Sequence, residues 1–126
     1  MNQVEILEFA AKAAGWEAKR HTVRDVTAVH VRPHTASAWR AFDSLKSPLD
    51  AFELAAAARI DVLHAGDYVS TYAGAGAFRN FAYDDVDEAH DAERPHGERM
   101  RAVCRAITEC AAKIGRDNGA PWWRTL

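Results

Sequence analysis

Apolar residues at Val4, Leu7, Ala11 and Ala14, with Ile6, Phe9 and Ala10 beside them, keep the three-and-four spacing of a helix. Asn2 is placed to open this helix and Gly15 to close it. The pattern then changes period. Residues 16–20 and 26–32 alternate as strands do, with Val26, Ala28 and His30 on one side and Thr27, Val29 and Val31 on the other. They predict a hairpin turning through residues 22–25. Pro33 has no ladder donor and biases Arg32 towards extended angles, so the strand ends there. Little regular structure is expected from Trp39 to Leu45. Ser47-Pro48-Leu49-Asp50 reads as a helix start: Ser47 caps, Pro48 takes the first helical position, and Asp50 reaches back from the third. This second helix is expected to run to about Arg59 and to bury Leu49, Phe52, Ala55 and Ala56.

Residues 60–64 and 68–72 predict a second hairpin around Ala65-Gly66-Asp67. Gly74-Ala75-Gly76 breaks it, and residues 78–83 supply a fifth strand. Residues 98–116 form the longest periodic segment, with Met100, Val103, Cys104, Ile107, Ala111 and Ile114 on one helical face and Gly115 near its end. The elements predict one α+β domain over residues 1–116, an antiparallel sheet of about four to five strands packed with three helices, and a C-terminal tail over 117–126.

Composition narrows the class. The chain has 126 residues, 48% of them apolar and 27% charged, with a net charge of −2. No run approaches the roughly 20 apolar residues of a membrane helix, and the first residues carry no basic leader, so a cytoplasmic protein is expected. Cys104 and Cys110 are six apart in one helix, a rise of ~9 Å that no disulfide spans. With a pI near 6.3, general nucleic-acid binding is not expected. The charge is nevertheless uneven. Lys19, Arg20, Arg24, Arg32 and Arg40 face Asp25 alone, whereas residues 84–93 carry six acids and no Lys or Arg. Twelve arginines to four lysines favour bidentate anion recognition.

Two blocks carry a resemblance. Phe42-Asp43-Ser44-Leu45, four residues, then Asp50-Ala51-Phe52-Glu53-Leu54-Ala55 looks like a W-N-P-L-x4-D-A-L-x-L-A segment. Arg105-Ala106-Ile107 followed by Ala111-Ala112-Lys113-Ile114-Gly115 is similar to an R-A-I…A-A-x-I-G ending. Together with Ala11-Lys12-Ala13-Ala14-Gly15 in the first helix, they resemble the small phage proteins of the alpha-beta-alpha sandwich family. Phe42, Asp43 and Ser44 depart from that family's Trp, Asn and Pro. The resemblance implies an αβα sandwich of phage or prophage origin in the bacterial cytoplasm, and supplies no catalytic residues.

The candidate chemistry is ligand binding. His30 and His34 have the spacing of helical zinc ligands, but Pro33 lies between them, so no metal is expected. The acidic stretch with His90 lacks the alternating ligands and glycine of a calcium loop. Gly74-Ala75-Gly76 lacks the lysine of a phosphate loop, and no nucleophile elbow occurs. No cofactor is expected. Phosphate needs fixed donors and a nucleobase needs a flat face to stack on. Arg20, Arg24, Arg32, Trp39 and Arg40 offer both, and Arg79, Trp122, Trp123 and Arg124 join them if the fold brings them near. Adjacent tryptophans in a tail must dock, on their own domain or on a second subunit, which makes a homo-oligomer one candidate assembly. The expected function is a non-catalytic phage protein that sequesters a small anionic ligand such as a nucleotide-derived defence signal. A protein-interaction module docking through Trp122, Trp123 and the acidic loop is the alternative, followed by a nucleotide-processing enzyme.

Overall fold

The computed structural model describes residues 1–74, 76–84, 97–119 and 121–125, with Arg124 and Thr125 described by their backbone alone. Helix α1 (Gln3–Ala13) begins as predicted: the Asn2 side chain accepts the Glu5 N–H at 2.9 Å, satisfying a donor that the first turn leaves open. It ends at Gly15, whose φ of 77° suits a residue without a Cβ. Strands β1 (Glu17–Val23) and β2 (Val26–Arg32) pair antiparallel from Glu17–Arg32 to Val23–Val26. Arg24 and Asp25 form the two-residue turn at φ 49° and 67°, the left-handed pair that matches strand twist.

The stretch expected to be irregular contains a third strand, β3 (Arg40–Phe42), which pairs with β2 through Val29–Phe42 and Val31–Arg40. Three residues are too few to show a period, so only the ladder reveals them. Helix α2 (Pro48–Ala58) follows, with Ser47 Oγ accepting the Asp50 N–H at 3.2 Å. The Asp50 carboxylate does not turn back on the cap. It accepts the Asp43 N–H at 2.9 Å and Arg40 at 3.1 Å, tying β3 to the helix start.

The buried stripe of α2 is also corrected. Ala51, Leu54 and Ala58 face the core, whereas Leu49 is 65% and Phe52 72% exposed. Both sides of this short helix carry apolar residues, so periodicity alone could not say which faces inwards.

Strands β4 (Asp61–His64), β5 (Tyr68–Ala73) and β6 (Phe78–Tyr83) form a second antiparallel sheet in that order. Among the described residues the six strands therefore make two three-stranded sheets, not one sheet of four to five. Helix α3 (Gly97–Asn118) runs past the predicted end. Helix α1 packs on the first sheet and on α3, and α3 packs in turn on β5 and β6, so α1 and α3 lie between the sheets, with α2 packed on α3. An αβα sandwich would instead bury its sheet on both faces. Here each sheet buries one face, Val29, Val31 and Phe42 in the first and Val69, Thr71 and Ala82 in the second.

The long helix carries two buried stripes to match. Cys104, Ile107, Ala111 and Ile114 join the main core, while Ala102 and Ala106 meet Val69 and Ala82 of the second sheet. Small residues let the helices approach closely: a Cβ added to Gly115 would stand 1.8 Å from the Phe9 carbonyl oxygen of α1. Among the buried polar groups, Thr108 donates to Ser44 at 2.8 Å and Thr71 to the Ala106 carbonyl at 3.0 Å.

Candidate functional site

Alternation along the first sheet decides what its outer face displays. Because Val29 and Val31 point inwards, His30 and Arg32 point out, and across the register so do Glu17, Lys19 and His21. Trp39, two residues before Ala41, follows the same parity and sits beside Arg32. Its ring is the centre of the cluster. The Lys19 ammonium stands 4.4 Å and the Arg32 guanidinium 4.5 Å from the ring centroid, both inside the range of cation–π attraction. His21 and His30 stack alongside, with centroids 4.7 Å apart and a 33° tilt.

Arg32 is aimed rather than free to swing: its Nε donates to Glu17 at 2.6 Å and its Nη1 to the Thr35 carbonyl at 3.3 Å. Lys19 and His21 are exposed and His30, Arg32 and Trp39 half-buried, so the group is anchored and still open to solvent. It offers a flat ring, a positioned guanidinium, an ammonium and two imidazoles on one surface, which suits an anion with an aromatic part.

Only part of the predicted set converges there. Arg32 and Trp39 belong to the cluster, and Arg24 lies at the hairpin turn of the same sheet. Arg20 has the opposite parity and bonds Glu8 of α1 at 2.8 Å, a partner that holds its guanidinium above the usual arginine range. Arg40 is likewise on the inner side, held by Asp50 at 3.1 Å and Glu53 at 2.7 Å. Arg79 lies on the second sheet and donates to the Gly76 carbonyl at 3.2 Å.

The tryptophans dock on their own domain. The indole N–H of Trp122 donates to the Ala58 carbonyl at 2.9 Å and that of Trp123 to Ala57 at 3.3 Å, covering acceptors that the last turn of α2 leaves open. Arg59 stacks over the Trp123 ring at 4.0 Å. The Arg124 side chain and residues 85–93, including His90, lie outside the described residues. Lys19, His21 and His30 were not among the predicted ligand residues, although strand alternation combined with the hairpin register would have placed them beside Arg32.

Other chemistry has less support. Among the described residues no three His, Cys, Asp or Glu side chains are grouped to hold a metal. Burial pushes both thiols above the ordinary cysteine range, with the Asp43 charge adding to this at Cys104, so neither is an activated nucleophile. Among the described residues no helix is long and apolar enough to cross a membrane. No family model, curated protein or solved structure matches the chain.

Proposed function

We propose that this is a non-catalytic binding protein that takes a small anionic ligand of nucleotide type on the outer face of its first sheet. The carrying observation is Trp39 with Lys19 and Arg32 within 4.5 Å of its ring centroid, on a surface that also presents the His21–His30 pair. Arg32 and Lys19 meet the phosphate charge, and Trp39 or the imidazoles stack on the base. The ligand we propose is a nucleotide-derived defence signal withheld from a bacterial host, a setting taken from the sequence resemblance alone and not from the fold. The test is a thermal-shift screen against linear, cyclic and ADP-ribose-type nucleotides, with the mass of each hit checked after incubation. A true ligand at about a hundred times its Kd adds roughly 2.7 kcal/mol of stability. Trp39→Ala and Lys19→Ala should abolish the shift, and recovery of an altered ligand would make the protein an enzyme instead.

A protein-interaction role is the second reading, favoured by a different surface from the predicted tail. Leu63, Phe81 and Tyr83 are each more than half exposed on the outer face of the second sheet. Their neighbour Tyr68 joins Phe81 and Tyr83 in a ring cluster with centroids 5.8 to 6.5 Å apart and planes 59° to 88° from one another. Rings so inclined cannot all lie flat for bases, which suits an apolar partner better than a nucleic acid. This reading stands if the nucleotide panel gives no shift.

A further inference from the structure

Register sets a row of charge beside the exposed rings of the second sheet. Across its outer face Asp61, Tyr72 and Arg79 form one row, Leu63, Ser70 and Phe81 the next, and Tyr68 and Tyr83 the third. Asp61 and Arg79 are exposed at the two ends of their row. Neighbouring strands lie ~4.8 Å apart, which leaves about 10 Å between these two backbones with Tyr72 in the middle. Among the described residues the Asp61 carboxylate has no partner, and the Arg79 guanidinium donates only to the Gly76 carbonyl, at 3.2 Å.

The edges of this sheet offer less than its face. Lys113 and Arg105 of α3 donate to the Arg79 and Tyr83 carbonyls at 2.9 and 3.0 Å, so the free edge of β6 is closed to a further strand. At the other edge β4 presents four residues. At roughly 200 Å² for an aromatic side chain, the exposed parts of Tyr68, Phe81 and Tyr83 together with Leu63 come to about 400 Å². Adding Asp61, Tyr72 and Arg79 brings the face to roughly 600 Å², and two such faces would bury about 1,200 Å², the lower end of a specific interface.

We infer that the second sheet packs face to face on the same sheet of a second copy of the chain, about a two-fold axis running along β5. The inference rests on the protein-interaction reading and commits it to one partner. A two-fold in that direction exchanges β4 with β6 and keeps each row opposite itself. Asp61 then meets the partner's Arg79, twice by symmetry, while Leu63 meets the partner's Phe81 and Tyr68 and Tyr72 meet their own counterparts on the axis. A two-fold across the strands would set the charged row against Tyr68 and Tyr83 and bury both charges unpaired, which is strongly unfavourable. The favoured arrangement keeps the strands of the two sheets nearly aligned, the usual geometry of stacked twisted sheets. Because the face carries both halves of the ion pair at matching distances from β5, it is complementary to itself.

The experiment is sedimentation velocity of the full chain across the micromolar range, where the wild type should pass from monomer to dimer. Asp61→Arg and Arg79→Asp each set like charges opposite one another twice, and each should weaken dimerisation by about tenfold or more. An equimolar mixture of these two variants should dimerise as the wild type does, because each chain supplies the charge that the other lacks. A misfolded variant would not be rescued by mixing. The double variant Asp61→Arg/Arg79→Asp should likewise regain the dimer, and Phe81→Ser should abolish it. A chain that stays monomeric throughout would overturn the inference and leave the face to a different protein, so the wider reading is judged separately, by the nucleotide panel. Single variants that dimerise as the wild type does, or that regain nothing on mixing, would overturn it too.

Discussion

Gly115→Ala gives opposite signs depending on whether α1 and α3 pack as closely as described. Within a helix, alanine is favoured over glycine by about 1 kcal/mol, so in an open setting the change stabilises. Here the new methyl would stand 1.8 Å from the Phe9 carbonyl oxygen and 2.7 Å from its carbonyl carbon. These are backbone atoms, and no side-chain rotation relieves the clash. The helices must part by more than ~1 Å at their crossing, and overpacking of this kind costs roughly 1–3 kcal/mol or more. Because Leu7, Ala10, Ala11 and Ile114 all belong to the core that would open, the upper end applies. After the propensity gain, a net loss of about 2 kcal/mol remains, which at ~4 °C per kcal/mol for this length lowers the melting temperature by roughly 8 °C. Circular dichroism melts and urea titrations measure it. Gly66→Ala is the control, since nothing lies within 4 Å of its added Cβ, and its stability should hold to within about 0.5 kcal/mol. A Gly115→Ala melting temperature equal to or above that of the wild type would refute the close packing of α1 on α3.

Three further changes probe other parts of the fold. Thr108→Val strands the buried Ser44 hydroxyl, bonded at 2.8 Å in the native protein, and should cost about 1–3 kcal/mol in urea titration. Adding Ser44→Ala should recover much of that loss, and a strictly additive double mutant would refute the pairing. At the β1–β2 turn, replacing Arg24-Asp25 by Asn-Gly puts the preferred pair at two positive-φ positions. It should raise stability by about 0.5–1 kcal/mol, and a lower melting temperature would count against the turn. The two buried cysteines carry raised thiol pKa values, so above about pH 8.5 the unfolded chain releases protons that the native chain keeps. Stability should therefore fall with rising pH in the alkaline range. The fall should flatten in a Cys104→Ala/Cys110→Ala background, and native thiols should label slowly with iodoacetamide at pH 8.

The elements that were legible are those whose signal is local. Asn2, Ser47 and Pro48 mark helix starts by chemistry complete within four residues, and both hairpins have alternation and turn residues on either side. What remained illegible depends on partners distant in sequence. β3 is a strand because β2 lies beside it, and α2 turns Leu54 rather than Phe52 inwards because α1 and α3 are where they are. The division into two sheets is of the same kind, since the alternation of a strand says that one face is buried and not which strands share the sheet. At the candidate site, residue type picked out Arg32 and Trp39. Only parity separated them from Arg20 and Arg40, which lie on the inner side of the sheet; a carboxylate partner does not make the distinction, since Arg32 bonds Glu17 as Arg20 bonds Glu8 and Arg40 bonds Asp50 and Glu53.

The layering bears on where function can reside. With α1 and α3 in the middle, the largest helix surfaces are spent on one another and on the inner faces of the sheets, as the fully buried Ala10, Ala11, Ala106 and Ala111 indicate. Surface that a sandwich with outer helices would cover is then left to the two outer sheet faces and to the groove where α2 stands away from α3. Their chemistries differ: cations around Trp39 on the first sheet, inclined aromatic rings on the second, and apolar walls in the groove. Surface substitutions away from structural contacts usually change stability by no more than about 0.5 kcal/mol. Exposed Lys19 can therefore be shortened with the fold intact. Loss of nucleotide response in Lys19→Ala, with the melting temperature of the free protein unchanged, would place the anion site on the first sheet. Loss of the response together with a fall of several degrees in the melting temperature would mean that the substitution acts through the fold and not at the ligand.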